Sequence, residues 1–101
     1  MTYRVRLTRS AQRDRDRILA WYDAKAPDQS ERFIDEFYST ARRLEDFPRS
    51  SPELRGGARR ANLHVFPYQL WNRVSDEAQE VEVIAVLHHR QDSAEFDSRL
   101  M

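Results

Sequence analysis

Alternating apolar and polar residues predict a strand at the start of the chain. Tyr3, Val5 and Leu7 share one face of this strand, and polar side chains occupy the other. Residues 81–88 form a nearly continuous apolar run, which predicts a central strand near the end of the chain. We place Val81, Val83, Ala85 and Leu87 on one face of it, with Ile84 and Val86 on the other.

The region between these strands begins with two amphipathic helices. Thr8 or Ser10 can cap the first helix, and Ala26-Pro27 ends it. Asp28, three residues before Glu31, resembles a capping box that opens the second helix. The apolar stripes, both expected in the core, are Ala11, Ile18, Trp21 and Tyr22 in the first helix and Phe33, Ile34, Phe37, Ala41 and Leu44 in the second. The short connection predicts an antiparallel helix hairpin.

The second half of the chain predicts a loop followed by strands. Both glycines and Pro52 fall within residues 49–57, which indicates a loop. Strands are expected at about 59–64, 67–74 and 80–88, with a turn at 75–79. Residues 93–101 predict a short C-terminal helix or tail. The 101 residues therefore predict a single α+β domain, 1–101, with the helix pair on one face of an antiparallel sheet.

Charge and composition exclude several functional classes. Seventeen basic and seventeen acidic residues cancel, so no global field draws the chain to nucleic acid or to a membrane. Basic residues nevertheless exceed acidic ones in residues 1–60, which makes any anion-binding surface local. The chain has no cysteine, which excludes disulfides and thiolate chemistry. It has no apolar stretch of signal or membrane length, so we expect a cytoplasmic protein.

Three motifs, in order along the chain, resemble the RelE/ParE superfamily of type II toxin–antitoxin toxins. They are Leu7-Thr8-x-x-Ala11, Phe66-Pro67-Tyr68 and Ile84-Ala85-Val86-x-His88. The resemblance implies the strand, helix hairpin and three-stranded sheet predicted above. It also implies a toxin that inhibits growth, is neutralised by a cognate antitoxin and contacts DNA only through that antitoxin. The resemblance further implies that the protein works without a cofactor.

The superfamily divides by target, so the resemblance leaves the mechanism open. Its RelE-like members cleave mRNA in the ribosome, and its ParE-like members inhibit DNA gyrase. An endoribonuclease needs groups that move protons and cations that stabilise the phosphate. The candidates for these roles, if the chain is a metal-independent nuclease, are Tyr68, Arg73, His88 and Arg90.

Two departures from the RelE-like pattern favour the ParE-like alternative. Gln69 lies where a catalytic arginine is expected, and the C-terminal tyrosine has no clear match, Phe96 being the nearest residue. The neutral net charge also differs from that of a ribosome-directed enzyme. We therefore predict gyrase inhibition, with ribosome-dependent mRNA cleavage as the first alternative and a non-toxic peptide-binding module as the second.

Contacts with the target or the antitoxin are assigned to a separate set of residues. Tyr68 and Trp71 point to opposite faces of one strand, so at most one of them is expected in the core. Neighbouring histidines on a strand also point apart, which argues against a metal site made by His64, His88 and His89. Ordinary alternatives remain: a strand-end histidine is often a satisfied polar residue, and one arginine of the cluster can pair with Glu53. The candidate contact residues are Arg55, Arg59, Arg60, Trp71, His89 and Phe96.

Overall fold

The computed structural model describes residues 2–91. Phe96 and the predicted C-terminal helix or tail lie outside these residues. The elements, in chain order, are β1 (Arg4–Leu7), α1 (Arg9–Lys25), α2 (Pro27–Asp46), β2 (Glu53–Arg55), β3 (Ala58–Asn62), β4 (Tyr68–Ser75) and β5 (Glu80–His88).

The strands form one sheet in the order β1-β5-β4-β3-β2, which confirms the α+β class. The predicted three-stranded antiparallel part is β3-β4-β5. Two details differ from the prediction. β1 joins β5 in parallel, which is possible because a long connection, the helix hairpin and strands β2–β4, separates them along the chain. The predicted loop 49–57 contains the short strand β2, which turns back through Gly56 and Gly57, both with positive φ, to pair with β3.

The helix hairpin forms as predicted, but its ends differ in one respect. Thr8 caps α1, since its side chain accepts a hydrogen bond from the Ala11 N–H at 3.2 Å. The capping box at Asp28 is wrong. Only Ala26 separates the two helices, and α2 begins at Pro27 with no side-chain cap, because the fixed φ of proline suits the first helical position.

The helices cover one face of the sheet with an aromatic core. Phe33, Phe37 and Leu44 of α2 are fully buried there, and Tyr22 of α1 lies between Phe33 and Phe66. Burial raises the pKa of Tyr22 to about 12, with Tyr68 adding to the shift. We call this side of the sheet the helix face.

Trp21 does not belong to that core, contrary to the prediction. Its side chain is 54% exposed and contacts Tyr22 only edge-on, with the ring centroids 5.1 Å apart. The stripe of α1 is centred between Ile18 and Tyr22, so position 21 lies at its solvent edge.

A bulge in β5 changes which residues share a face. Trp71 pairs with Ala85 and Asn72 pairs with Val83, which leaves Ile84 as an extra residue in the strand. As a result Val81, Val83 and Val86 contact the helix-face core, whereas Ile84, Ala85 and Leu87 lie on the opposite side. The predicted assignment to faces therefore holds on each side of the bulge but fails across it, since Val83 and Ala85 lie on opposite faces, as do Ile84 and Val86.

The side of the sheet away from the helices, which we call the second face, has its own small apolar cluster. This cluster consists of Ala58, Trp71, Ile84, Ala85 and Leu87. The expectation that at most one of Tyr68 and Trp71 joins a core was wrong, because each face of the sheet has an apolar cluster of its own. Tyr68 packs against the cluster on the helix face and Trp71 belongs to the cluster on the second face. Among residues 2–91, neither helix combines the length and the apolar character needed to cross a membrane.

Candidate functional site

A groove of about 410 Å³ opens on the second face, where β5 ends. Its walls come from β2, β3, β4, the end of β5 and the turn that follows it. None of the described residues that line it carries a carboxylate, so we call it the cationic groove. It is lined by Leu54, Arg55, Arg60, Gln69, Trp71, Leu87, His88, His89 and Gln91.

Strand register brings these side chains together. Arg60 lies opposite Trp71, and Gln69 lies opposite Leu87. Trp71 and Leu87 are both nearly fully buried and form the apolar base of the groove. Polar groups at the rim of an apolar base are the usual composition of a protein binding site.

Arg60 is the cation most closely built into the groove. Its guanidinium carbon lies 5.8 Å from the centre of the Trp71 ring, within the range of a cation–π contact. Its Nε atom is buried and has no hydrogen-bond partner among residues 2–91. A buried donor without an acceptor is costly, so this atom has a reason to bind one.

A tight turn fixes His88 at the end of β5. The Arg90 backbone N–H donates to Nδ1 of His88 at 3.1 Å, and the Gln91 side-chain oxygen accepts from the His88 N–H at 2.7 Å. The pKa of His88 is lowered, first by burial and then by His89 and Arg90. His88 is therefore neutral at pH 7, and because Nδ1 is already an acceptor its proton is on Nε2.

The two histidines lie side by side, which corrects the expectation that they point apart. β5 ends at His88, so the strand alternation stops there and the turn brings the two rings to 4.7 Å between centroids. Both line the groove. Within the part of the chain that the structure describes, no group of three His, Asp or Glu side chains is placed to hold a metal ion.

The four nuclease candidates are not assembled at the groove. Only His88 lines it. Tyr68 lies on the helix face, 5.6 Å from the Phe33 ring centre. It pairs with His88 in the strand register, so the His88 ring packs against it on that face, with the ring centroids 5.3 Å apart. Arg73 lies opposite Glu82, farther along the sheet, and Arg90 is exposed outside the lining.

The contact candidates divide differently. Arg55, Arg60, Trp71 and His89 all line the cationic groove, as a contact surface requires. Arg59 does not. It donates to the Ser51 carbonyl at 2.7 Å and lies 3.8 Å from Glu53, so it stabilises the β2 segment.

Two carboxylates that the sequence analysis did not single out hold this architecture in place. Asp14 of α1 is buried and accepts a hydrogen bond from the Val86 N–H at 2.9 Å, beyond the point where β1 ends. Glu36 of α2 accepts from three consecutive backbone N–H groups, those of residues 64–66, at 2.8–3.1 Å. An acidic residue within an apolar helical stripe was the signal available for Asp14; Glu36 gave none.

Comparisons with known proteins agree with the fold and with its functional class. Residues 5–93 match the family model described as the ParE toxin of type II toxin–antitoxin system, parDE. The fold is similar to the chromosomal ParDE TA system from P. aeruginosa, with a TM-score of 0.72, 18% identity, and coverage of 86% of this chain and 96% of that one. It is also similar to the toxin–antitoxin complex RelBE2 from Mycobacterium tuberculosis, with a TM-score of 0.62, 25% identity, and coverage of 88% and 100%. No curated protein matched significantly.

Proposed function

The chain belongs to the ParE toxin family of type II toxin–antitoxin systems, and on this premise we propose that it stops growth by inhibiting DNA gyrase. The observation that carries the proposal is the extent of the family match. It covers residues 5–93, and so includes every residue that lines the cationic groove.

The chemistry of the groove supports a binding role more than a catalytic one. Cleavage of RNA through its 2′-hydroxyl needs a proton acceptor at the reacting atom. None of the described residues that line the groove carries a carboxylate. Nδ1 of His88 already accepts from the Arg90 N–H, so with the proton on Nε2 that ring has no free acceptor nitrogen. Tyr68, Arg73 and Arg90 lie outside the lining residues. The groove thus offers donors and cations to a partner.

Ribosome-dependent mRNA cleavage remains the second candidate, and one observation favours it. His89 is exposed beside His88 and lines the groove together with Arg55 and Arg60. An imidazole next to two guanidiniums combines a proton acceptor with phosphate-binding cations. The similarity to the RelBE2 complex is compatible with this alternative.

We propose a cognate antitoxin as the second partner. Both similar structures come from toxin–antitoxin systems. The antitoxin would hold the toxin inactive until it is removed, and any contact with DNA would be made by the antitoxin.

Parallel assays on one preparation separate the two mechanisms. The chain, purified away from any antitoxin, is titrated into DNA supercoiling by gyrase and into a ribosome programmed with mRNA. We expect supercoiling to fall while the message stays intact. Cleaved message with normal supercoiling would replace the gyrase proposal with the nuclease one. Expression without growth arrest and without either effect would favour the non-toxic peptide-binding module.

A further inference from the structure

The segment between β3 and β4, residues 63–67, is tied to α2 by one carboxylate. Glu36 accepts hydrogen bonds from the backbone N–H groups of His64, Val65 and Phe66 at 2.8–3.1 Å. Consecutive N–H donors directed at one charged acceptor form a strong contact. The side chains of His64 and Val65 are exposed and contribute little packing. Glu36 therefore holds the backbone of this segment against the helix.

The far end of the same segment contacts the turn that follows β5. The Pro67 carbonyl accepts a hydrogen bond from the His89 backbone N–H at 3.1 Å. Phe66, Pro67 and His89 also line a shared hollow of about 260 Å³ at this end of the sheet. His89 lines the cationic groove as well. The segment is thus a short link between α2 and a residue of the groove.

We propose that Glu36 is a positioning residue for the cationic groove, because it fixes the place of His89 through residues 64–67. Glu36 is not among the described residues that line the groove, so it acts on a bound target only through this link. The inference deepens the proposed function and rests on it for one premise, that the groove meets the target.

The segment has a second anchor, the ring of Phe66, which holds it in a different way. This ring is buried, and its centre lies 5.4 Å from that of Tyr22 and 5.6 Å from that of Phe33. A packed ring fixes one side chain but leaves the neighbouring peptide planes free to rotate. The three N–H groups on Glu36 fix successive planes, which set the direction of the Pro67 carbonyl. Loss of Glu36 should therefore loosen His89 without opening the aromatic core.

Two substitutions of Glu36 and two control variants separate positioning from a general loss of stability. Glu36→Ala removes the acceptor of all three bonds. Glu36→Gln keeps the shape and an amide oxygen with two acceptor sites, so it should rescue part of the effect. Ile18→Val removes one buried methyl group from α1 and lowers stability to a similar extent, far from the segment. Glu31→Gln makes the same charge change at an exposed position of α2.

The first measurement is NMR of the ¹⁵N-labelled 101-residue chain and of the four variants. It follows the exchange of the His89 amide with water and the ring resonances of His89, whose ring centre lies 4.7 Å from that of His88. We expect Glu36→Ala to speed this exchange about tenfold and to shift the ring resonances, since the link loses its acceptor. Glu36→Gln should change both less. Ile18→Val and Glu31→Gln should match the wild type.

The second measurement is gyrase inhibition by the same five proteins. We expect Glu36→Ala to require about threefold more protein, or a larger excess, for the same inhibition as Ile18→Val. Because these two variants lose similar stability, the difference between them reports the position of His89. If Glu36→Ala does not fold, Glu36→Gln carries the same comparison.

Three results would overturn the inference. In the first, the His89 signals of Glu36→Ala match those of the wild type. In the second, Ile18→Val changes these signals as much as Glu36→Ala does, which would indicate a general loosening. In the third, the signals move but Glu36→Ala inhibits gyrase as well as the wild type. If the wild type does not inhibit gyrase while the signals move as expected, the proposed function fails and the link from Glu36 to His89 stands.

Discussion

The two faces of the sheet are built from different chemistry, although they share the same strands. The helix face buries Tyr22, Phe33, Phe37 and Phe66 in contacts between rings and aliphatic side chains. The second face has a smaller apolar cluster, and Arg60 lies over its tryptophan. The difference indicates that the helix face stabilises the domain while the second face is available for recognition. Substitutions on the two faces should therefore have different consequences.

The largest loss of stability should come from Phe33→Ala on the helix face. Phe33 is fully buried and contacts four other aromatic rings. Its removal should lower the free energy of unfolding by about 3–5 kcal/mol, a large share of the 5–15 kcal/mol typical of a domain. Urea unfolding followed by circular dichroism measures the change. A loss below about 1 kcal/mol would contradict the assignment of the core.

Asp14→Ala should have the next largest effect, because it uncouples α1 from β5. The buried Val86 N–H would lose its acceptor, which costs about 1–3 kcal/mol. Asp14→Asn is the matched control, since its amide oxygen can still accept this bond and should retain part of the stability. The same urea titration compares them. Equal losses in the two variants would show that the charge of Asp14, and not the hydrogen bond, is what matters.

Glu36→Ala should lower the free energy of unfolding by about 1–2 kcal/mol at pH 7. It should also remove the part of the stability that depends on the ionised Glu36 carboxylate and is lost in acid. Burial opposes the charge of Glu36, but three backbone N–H groups and His64 outweigh it and lower its pKa. A lowered pKa means that the unfolded chain binds the proton more readily. The stabilisation is therefore present at neutral pH and is lost as the pH falls below about 4.5 and through the folded pKa.

The pH dependence of unfolding checks this prediction directly. Between pH 5 and pH 3 the difference in stability between the wild type and Glu36→Gln should narrow, because protonation makes the wild-type side chain neutral as well. A difference that stays constant over that range would contradict the role assigned to the carboxylate.

Trp21→Ala should have the smallest effect, despite removing the largest type of side chain. The ring is mostly exposed and contacts Tyr22 only at its edge. We expect a change within about 0.5 kcal/mol. Thermal unfolding beside Phe33→Ala makes the contrast clear. A loss comparable to that of Phe33→Ala would mean that the prediction of a buried Trp21 was right after all.

Local sequence patterns predicted the elements, because period and capping act over a few residues. The alternation of Tyr3, Val5 and Leu7 and the cap at Thr8 are signals of this kind. The bulge at Ile84 and the parallel pairing of β1 depend on contacts between distant segments, which no local pattern contains. The exposure of Trp21 was also missed, because it depends on which residues lie at the centre of the buried stripe of α1, and that is set by how the helix packs on the sheet.

The site was predictable in its composition but not in its assembly. The sequence singled out the histidines at the end of the last strand and three arginines near the glycine pair, and the groove is lined by both histidines but by only two of these arginines, Arg55 and Arg60. Which arginine enters it depends on strand register. Arg60 lies opposite Trp71, whereas the neighbouring Arg59 lies on the other face of the strand and forms an ion pair with Glu53. The tautomer of His88 depends on a turn that forms only after β5 ends.

The measurement that most directly tests the division between the two faces is gyrase inhibition by Arg60→Gln, with thermal unfolding recorded on the same sample. The account predicts a melting temperature within a few degrees of the wild type and an inhibitory concentration at least about tenfold higher. Full inhibition by a folded Arg60→Gln variant would contradict it, because the cationic groove would then take no part in the action of the toxin.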